Sequence, residues 1–189
     1  MKLLRPHHER AVSDFAGPAG QWWRAEQVHG THVVDVPGSP QILAPDGLPV
    51  VPDSDGLVTC QAGIVLAIYV ADCGAIWLAD RESGAIGLLH SGKKGTEGNI
   101  FEVALGVMTK QFGTRAENIT AVLSPCIRKP VYDVDFAGEI GKQAFRAGVG
   151  SFLDCGLNTA SDLQQNYSYR RELGKTGRMM ALIVRDFLP

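Results

Sequence analysis

Two imidazoles and one thiol are the groups of this chain best suited to chemistry: His29 in Gln27-Val28-His29-Gly30, Cys73 in Ala71-Asp72-Cys73, and His90 in Leu89-His90-Ser91-Gly92. Each stands where an apolar, strand-like run gives way to glycine or polar residues, a place from which a side chain can face a cleft at the rim of a sheet. The three form the ligand set of a zinc site that keeps its fourth position for water or substrate. They are also the parts of a Cys-His nucleophilic pair. The separations, 44 residues from His29 to Cys73 and 17 from Cys73 to His90, match no short-range zinc signature, so spacing leaves both chemistries open.

The neighbours of these residues sharpen the reading. Asp72 places a carboxylate beside a thiol inside an apolar stretch, which costs about 1–3 kcal/mol unless the acid is hydrogen-bonded, so Asp72 should have a bonding task and is a candidate substrate contact. Cys73 alone also reads as a small buried hydrophobe, and His90 as a satisfied core histidine. His32 lies close enough to His29 to compete for its role; Gly30, which permits close approach of another group, favours His29. Ser91-Gly92-Lys93-Lys94-Gly95 is a flexible basic loop suited to an anion, with Lys94 a candidate contact. Tyr167 to Arg178 carries Arg170, Arg171 and Arg178, which read either as a solvated turn or as a clamp for phosphate or carboxylate.

The elements that must position these groups follow from the hydrophobic pattern. Trp22–Val28 and His32–Val36 read as short strands around His29. Residues 37–55, rich in Pro, Gly, Asp and Ser, read as a surface loop. Four β-rich runs follow, Gly56–Cys60, Ile64–Val70, Ala75–Ala79 and Ala85–Leu89, apolar enough to be covered on both faces. Between Glu97 and Phe112 apolar residues recur at helical spacing; Ile119–Leu123 is a strand, Phe136–Ala147 a second helix and Met179–Val184 a last strand. The hairpin-like connections predict an α+β fold with a mixed, largely antiparallel sheet packed against helices.

With 189 residues and 45% hydrophobic content, the chain suits one domain spanning residues 1–189, of which 1–20 read as a frayed N-terminal segment. A net charge of -2 without blocks of like charge offers no footprint for nucleic acid or a membrane surface, so a diffusible small molecule is the expected partner. The N-terminus lacks a signal-peptide h-region and no apolar run is long enough to span a bilayer, which predicts a cytoplasmic protein. Its four scattered cysteines are expected to be free thiols. Oligomeric state is not set by these features.

Six ordered segments carry a family resemblance: Gln27-Val28-His29-Gly30, Asp55-Gly56-Leu57-Val58-Thr59, Ala71-Asp72-Cys73, His90-Ser91-Gly92-Lys93-Lys94-Gly95, Pro125-Cys126-Ile127, and Ser168-Tyr169-Arg170-Arg171 through Thr176-Gly177-Arg178. From about Trp22 to Val184 the chain resembles the YfiH-like family, named variously as multicopper polyphenol oxidase or laccase domain, purine nucleoside phosphorylase and peptidoglycan editing factor. The resemblance implies mixed sheets between helices and a zinc site of His29, Cys73 and His90. It implies phosphorolysis of adenosine, inosine and methylthioadenosine with nucleoside and phosphate as partners, and adenosine deamination beside it. It also implies anion contacts at Arg170, Arg171 and Arg178. The alternatives it carries are a cell-wall-precursor amidase using Cys73 as nucleophile and His90 as base, a non-catalytic binding protein, and a copper oxidase, for which five histidines are too few. Two departures stand out. Lys93 replaces an aromatic residue of the family's motif and Lys94 an arginine, which implies a different substrate preference.

Overall fold

The computed structural model describes residues 10, 11, 13, 14, 21–45, 47 and 49–186; apart from four positions, the segment 1–20 lies outside the described residues. Three layers are built from two sheets and a helical face. The larger sheet has six strands in the order β10-β9-β7-β8-β5-β2: β2 is Val33–Asp35, β5 Gly56–Thr59, β7 Gly74–Asp80, β8 Ile86–Ser91, β9 Ile119–Leu123 and β10 Ser151–Asp154. The smaller sheet has the order β1-β6-β11, with β1 Gln21–Arg24, β6 Ile64–Val70 and β11 Met179–Val184. A short hairpin, β3 (Ile42–Leu43) and β4 (Pro49–Val50), interrupts the segment expected to be a plain loop. Parallel pairings (β1 with β6, β2 with β5, β10 with β9) are outnumbered by antiparallel ones, as the α+β expectation requires.

Alternation along the central strands explains the layers, because successive side chains of a strand face opposite sides. Ile76, Leu78, Val58 and Leu89 point to one side and pack with Ile100, Phe101, Met108, Phe136 and Ile140 of the helices. Ala75, Leu57 and Leu88 point to the other and pack with Leu66, Ile68 and Ala181 of the smaller sheet. Trp77 bridges the two sheets by donating its indole N–H to the Leu182 carbonyl at 2.9 Å. Burying a Leu, Ile or Phe side chain on either side contributes about 1.5–3 kcal/mol each, which fixes the strand register.

The helix expected from Glu97 to Phe112 begins at Ile100 as α2 (Ile100–Phe112), and the segment expected to be a flexible basic loop instead enters a short helix, α1 (Lys93–Glu97); α3 (Phe136–Arg146) follows later. Gly98 and Asn99 separate α1 from α2, and Asn99, at φ 55°, caps α2 by accepting from the Glu102 N–H. The strand β10 has no counterpart in the sequence reading, because it is four residues long at a sheet edge, with Leu153 and Asp154 exposed and Phe152 packed against the core, too short a pattern to show alternation. Among the described residues no helix is long and apolar enough to cross a membrane. All four cysteines are free.

Candidate metal centre and its cavity

Register brings the chemistry-bearing residues together. Gly74 of β7 pairs with Ser91 of β8, Ala75 with His90, and Gly56 of β5 with Leu89. Cys73, His90 and Asp55 therefore sit at one end of three neighbouring strands. His29 reaches the same place from the loop between β1 and β2, not from a strand end: its φ is 63°. The expected strand Trp22–Val28 stops at Arg24, and Gln27, at φ 65°, turns the chain.

Asp55 holds that loop. Its Oδ1 accepts the His29 N–H at 2.9 Å and its Oδ2 the Gly30 N–H at 2.6 Å, a concave backbone cradle for a carboxylate. Oδ1 also lies 2.8 Å from His90 Nδ1. Since the carboxylate accepts, Nδ1 carries the proton and Nε2 is the nitrogen turned toward Cys73. Burial by itself would raise the Asp55 pKa, but the hydrogen bonds from His90, Gly30 and His29 outweigh it and hold the carboxyl below its ordinary value.

The ligand atoms of His29, Cys73 and His90 lie within 4.8 Å of one another, and the two imidazole rings meet edge to face at 4.8 Å. Ligands of a tetrahedral zinc at 2.0–2.3 Å stand about 3.5 Å apart, so the set fits one cation with slight closure. The carboxylate behind His90 is the usual support of a metal-binding imidazole. Burial pushes the Cys73 thiol up, yet hydrogen bonds and charge from His29 and His90 prevail and bring it down to about 6. Burial lowers His90, while Asp55 and Cys73 lift it to about 9. A thiolate beside an imidazolium is the resulting state without metal. Gly92 is required here because a Cβ would stand 2.6 Å from Cys73 Sγ.

The trio lies on the wall of a cavity of about 790 Å³. Arg170 and Arg178 line it, with the Arg170 guanidinium 5.1 Å over the Tyr132 ring and that of Arg178 5.7 Å over Tyr169. Arg171 and Lys94, two of the expected anion contacts, are exposed and do not line it. The reason for Lys94 is helical geometry: consecutive residues of α1 point about 100° apart, and it is Lys93 that faces the cavity. Asp72 lines the cavity, but both its oxygens are engaged, Oδ1 by the Thr159 hydroxyl at 2.7 Å and Oδ2 by the Arg170 N–H at 2.8 Å. At φ 82° it ties the Cys73 turn to the Arg170 loop, the bonding task its position demanded.

Sequence reasoning gave no role to Asp55, Arg24 or Tyr69, all at this site, and singled out Lys94 where it is Lys93 of the same basic segment that lines the cavity. Arg24 is buried on β1 with its guanidinium 5.8 Å over the Tyr69 ring. Gln27 fixes Tyr69 by donating to its carbonyl at 2.6 Å and accepting from its N–H at 2.8 Å. For Asp55 a signal existed: an acid immediately before an apolar strand carries the same burial cost that singled out Asp72.

The profile of the multi-copper polyphenol oxidoreductase laccase family matches residues 4–145 and 132–186. The chain belongs to this laccase-like family. Within it, a protein of Deinococcus radiodurans named purine nucleoside phosphorylase is 34% identical over 92% of the chain and 71% of its own length. The purine nucleoside phosphorylase YlmD of Geobacillus stearothermophilus is 27% identical over 95% of the chain and 77% of its own. The crystal structure of YlmD from Geobacillus stearothermophilus superposes with a TM-score of 0.82 at 26% identity, covering 94% of this laccase-like chain and 78% of the other. The YfiH protein of Bacillus licheniformis, at 21% identity and a TM-score of 0.80, shares the fold; the match covers 94% of the chain and 79% of that protein.

Proposed function

We propose that this protein is a zinc-dependent purine nucleoside phosphorylase acting on adenosine, inosine and methylthioadenosine, with adenosine deamination as a side activity. The observation that carries the reading is the placement of two arginines, Arg170 and Arg178, on the same cavity as the His29, Cys73 and His90 cluster. The names carried by the Deinococcus and Geobacillus relatives agree with it.

His29, Cys73 and His90 would hold the metal, which when bound supplies a Lewis acid to polarise a substrate oxygen. The remaining steps belong to side chains of the chain. Arg170 and Arg178 hold and orient phosphate; the aromatic rings beside them restrict their motion, and Arg178 Nη1 donates to the Gly177 carbonyl at 2.8 Å, which leaves its other N–H groups for the anion. Tyr132 and Tyr169 offer flat ring surface to a purine. An oxygen of hydrogen phosphate forms a bond to the anomeric carbon as the bond from that carbon to the base breaks, and the base departs with the electron pair and takes up the proton that the phosphate gives up.

The test is incubation of the purified protein with adenosine or inosine, with and without phosphate, separating free base and deaminated product by chromatography. Phosphate-dependent release of base that Cys73→Ala removes supports the reading; absence of base and of deamination overturns it. Elemental analysis of the same preparation identifies the metal, and copper in place of zinc would revive the oxidase alternative.

A second reading draws on a different feature of the same cluster. Cys73 beside His90, itself backed by Asp55, has the order of a nucleophile, a base and its orienting acid. An amidase acting on cell-wall precursors would use that order after metal removal. Hydrolysis of a muramyl-peptide nucleotide by the chelated protein, lost on Cys73 alkylation, would favour it.

A further inference from the structure

We propose that Gln27 is a positioning residue of the metal centre: its carboxamide, bonded to the main chain of β6, holds His29 where the imidazole can join Cys73 and His90 on one cation. The inference rests on the metal reading of that trio and adds the group that fixes its one exposed member, His29. The strands explain why a side chain is needed there. β1 and β6 run parallel from Gln21 opposite Ile64 to Arg24 opposite Ala67, and β1 ends at that pair. The chain then leaves β6: Ala25 bridges to Val51, and the Glu26 N–H donates to the Val51 carbonyl at 3.1 Å. Two residues beyond Ala67, at Tyr69, the Gln27 side chain takes the place of the departed strand. Its Nε2 donates to the Tyr69 carbonyl at 2.6 Å and its Oε1 accepts the Tyr69 N–H at 2.8 Å. A carboxamide sets a donor and an acceptor side by side on one planar group; a carboxylate of the same length accepts at both.

The turn that follows takes its shape from the same bonds. Gln27 and His29 both hold left-handed backbone, at φ 65° and 63°, a conformation that residues other than glycine keep only where their surroundings over-determine it. For Gln27 the surroundings are Tyr69 at the side chain and the Ser54 carbonyl, which accepts its backbone N–H at 2.8 Å. For His29 they are the Asp55 carboxylate, on its own N–H and on that of Gly30. Packing supplies little, because Val28 is 47% exposed and His29 is exposed as well. His90 differs, being buried on β8 with Asp55 at its Nδ1. Loss of the Gln27 clamp therefore releases His29 and leaves Cys73 and His90 in place.

The experiment is titration of metal-free protein with cobalt(II), followed by absorption, and with zinc in competition with a chromophoric chelator, for wild type, Gln27→Leu and Gln27→Glu. Thermal unfolding of the metal-free proteins checks folding, and Gln27→Glu, closer in shape, carries the comparison if Gln27→Leu unfolds. Both variants should bind either metal about tenfold more weakly. The thiolate-to-cobalt charge-transfer band of Cys73 should persist, while the d–d bands shift as one imidazole is exchanged for solvent. Unchanged affinity, weaker binding with the wild-type d–d bands, or loss of the charge-transfer band overturns the inference while the metal reading stands. Unfolding of both variants overturns it too, since Gln27 would then serve the fold as a whole. Wild type that takes up neither cobalt nor zinc overturns both.

Discussion

Asp55 Oδ1 lies 2.8 Å from His90 Nδ1, and the two side chains are almost entirely withdrawn from solvent, at 0% and 3% exposure. The same carboxylate holds the backbone of His29 and Gly30, so one acid orients two of the three candidate metal ligands. Asp55→Asn removes the charge and one acceptor while keeping the shape. Zinc affinity should fall by about 10- to 100-fold, measured by competition with a chromophoric chelator. Unchanged affinity would show that the acid serves only the fold.

Thiol reactivity should report the metal-free cluster. Cys73 is held down to about 6, so its thiolate predominates above that pH and is lost as pH falls through it. Cys126, buried and pushed up to about 12, stays protonated and inert throughout the neutral range. Alkylation of chelated protein, followed by peptide mapping, should give a Cys73 rate that rises through about pH 6 and levels off above it. Zinc should protect Cys73. A midpoint near that of an ordinary thiol would contradict the hydrogen bonding from His29 and His90.

Gly92 faces Cys73 Sγ at a distance no Cβ can share, 2.6 Å. Since the obstructing atom ends a side chain, Gly92→Ala should fold by swinging the thiol aside. Cobalt-substituted protein should then lose its thiolate-to-metal charge-transfer band while its melting temperature changes little. Retention of the band would mean that the backbone, and not the thiol, gives way.

Arg170 and Arg178 line the cavity and Arg171 does not. Alanine at either of the first two should raise the KM for phosphate about tenfold or more, the loss of one charge-assisted contact. Arg171→Ala should stay within about twofold. A large effect at Arg171 in steady-state kinetics would refute this assignment.

Asp72 acts as a tie between the Cys73 turn and the Arg170 loop. Thr159→Val leaves one Asp72 oxygen without its 2.7 Å partner in a buried place and should cost about 1–3 kcal/mol in denaturant unfolding. A change in KM with no loss of stability would instead place Asp72 among the substrate contacts.

What the sequence determined by itself was local. The runs Ile64–Val70, Ile119–Leu123 and Met179–Val184 form the strands β6, β9 and β11 at those bounds, because a short, predominantly apolar and β-branched run between turn residues suffices to define a strand. His29, Cys73 and His90 stood out because two imidazoles and a thiol at the ends of apolar runs make either a metal-ligand set or a Cys-His pair, and six ordered motifs implied the family. Tertiary structure decided the rest. β10 exists through pairing with β9, and its four residues are too few for their alternation to announce it. Whether Lys93 or Lys94 meets the cavity depends on the phase of a five-residue helix, which two adjacent lysines cannot reveal. Asp55 acquired its role only when β5 and β8 came into register and placed it beside His90. Periodicity encodes which face of an element is apolar, but which charged groups converge at its end is set by strand order and register, and these arise from contacts between distant parts of the chain.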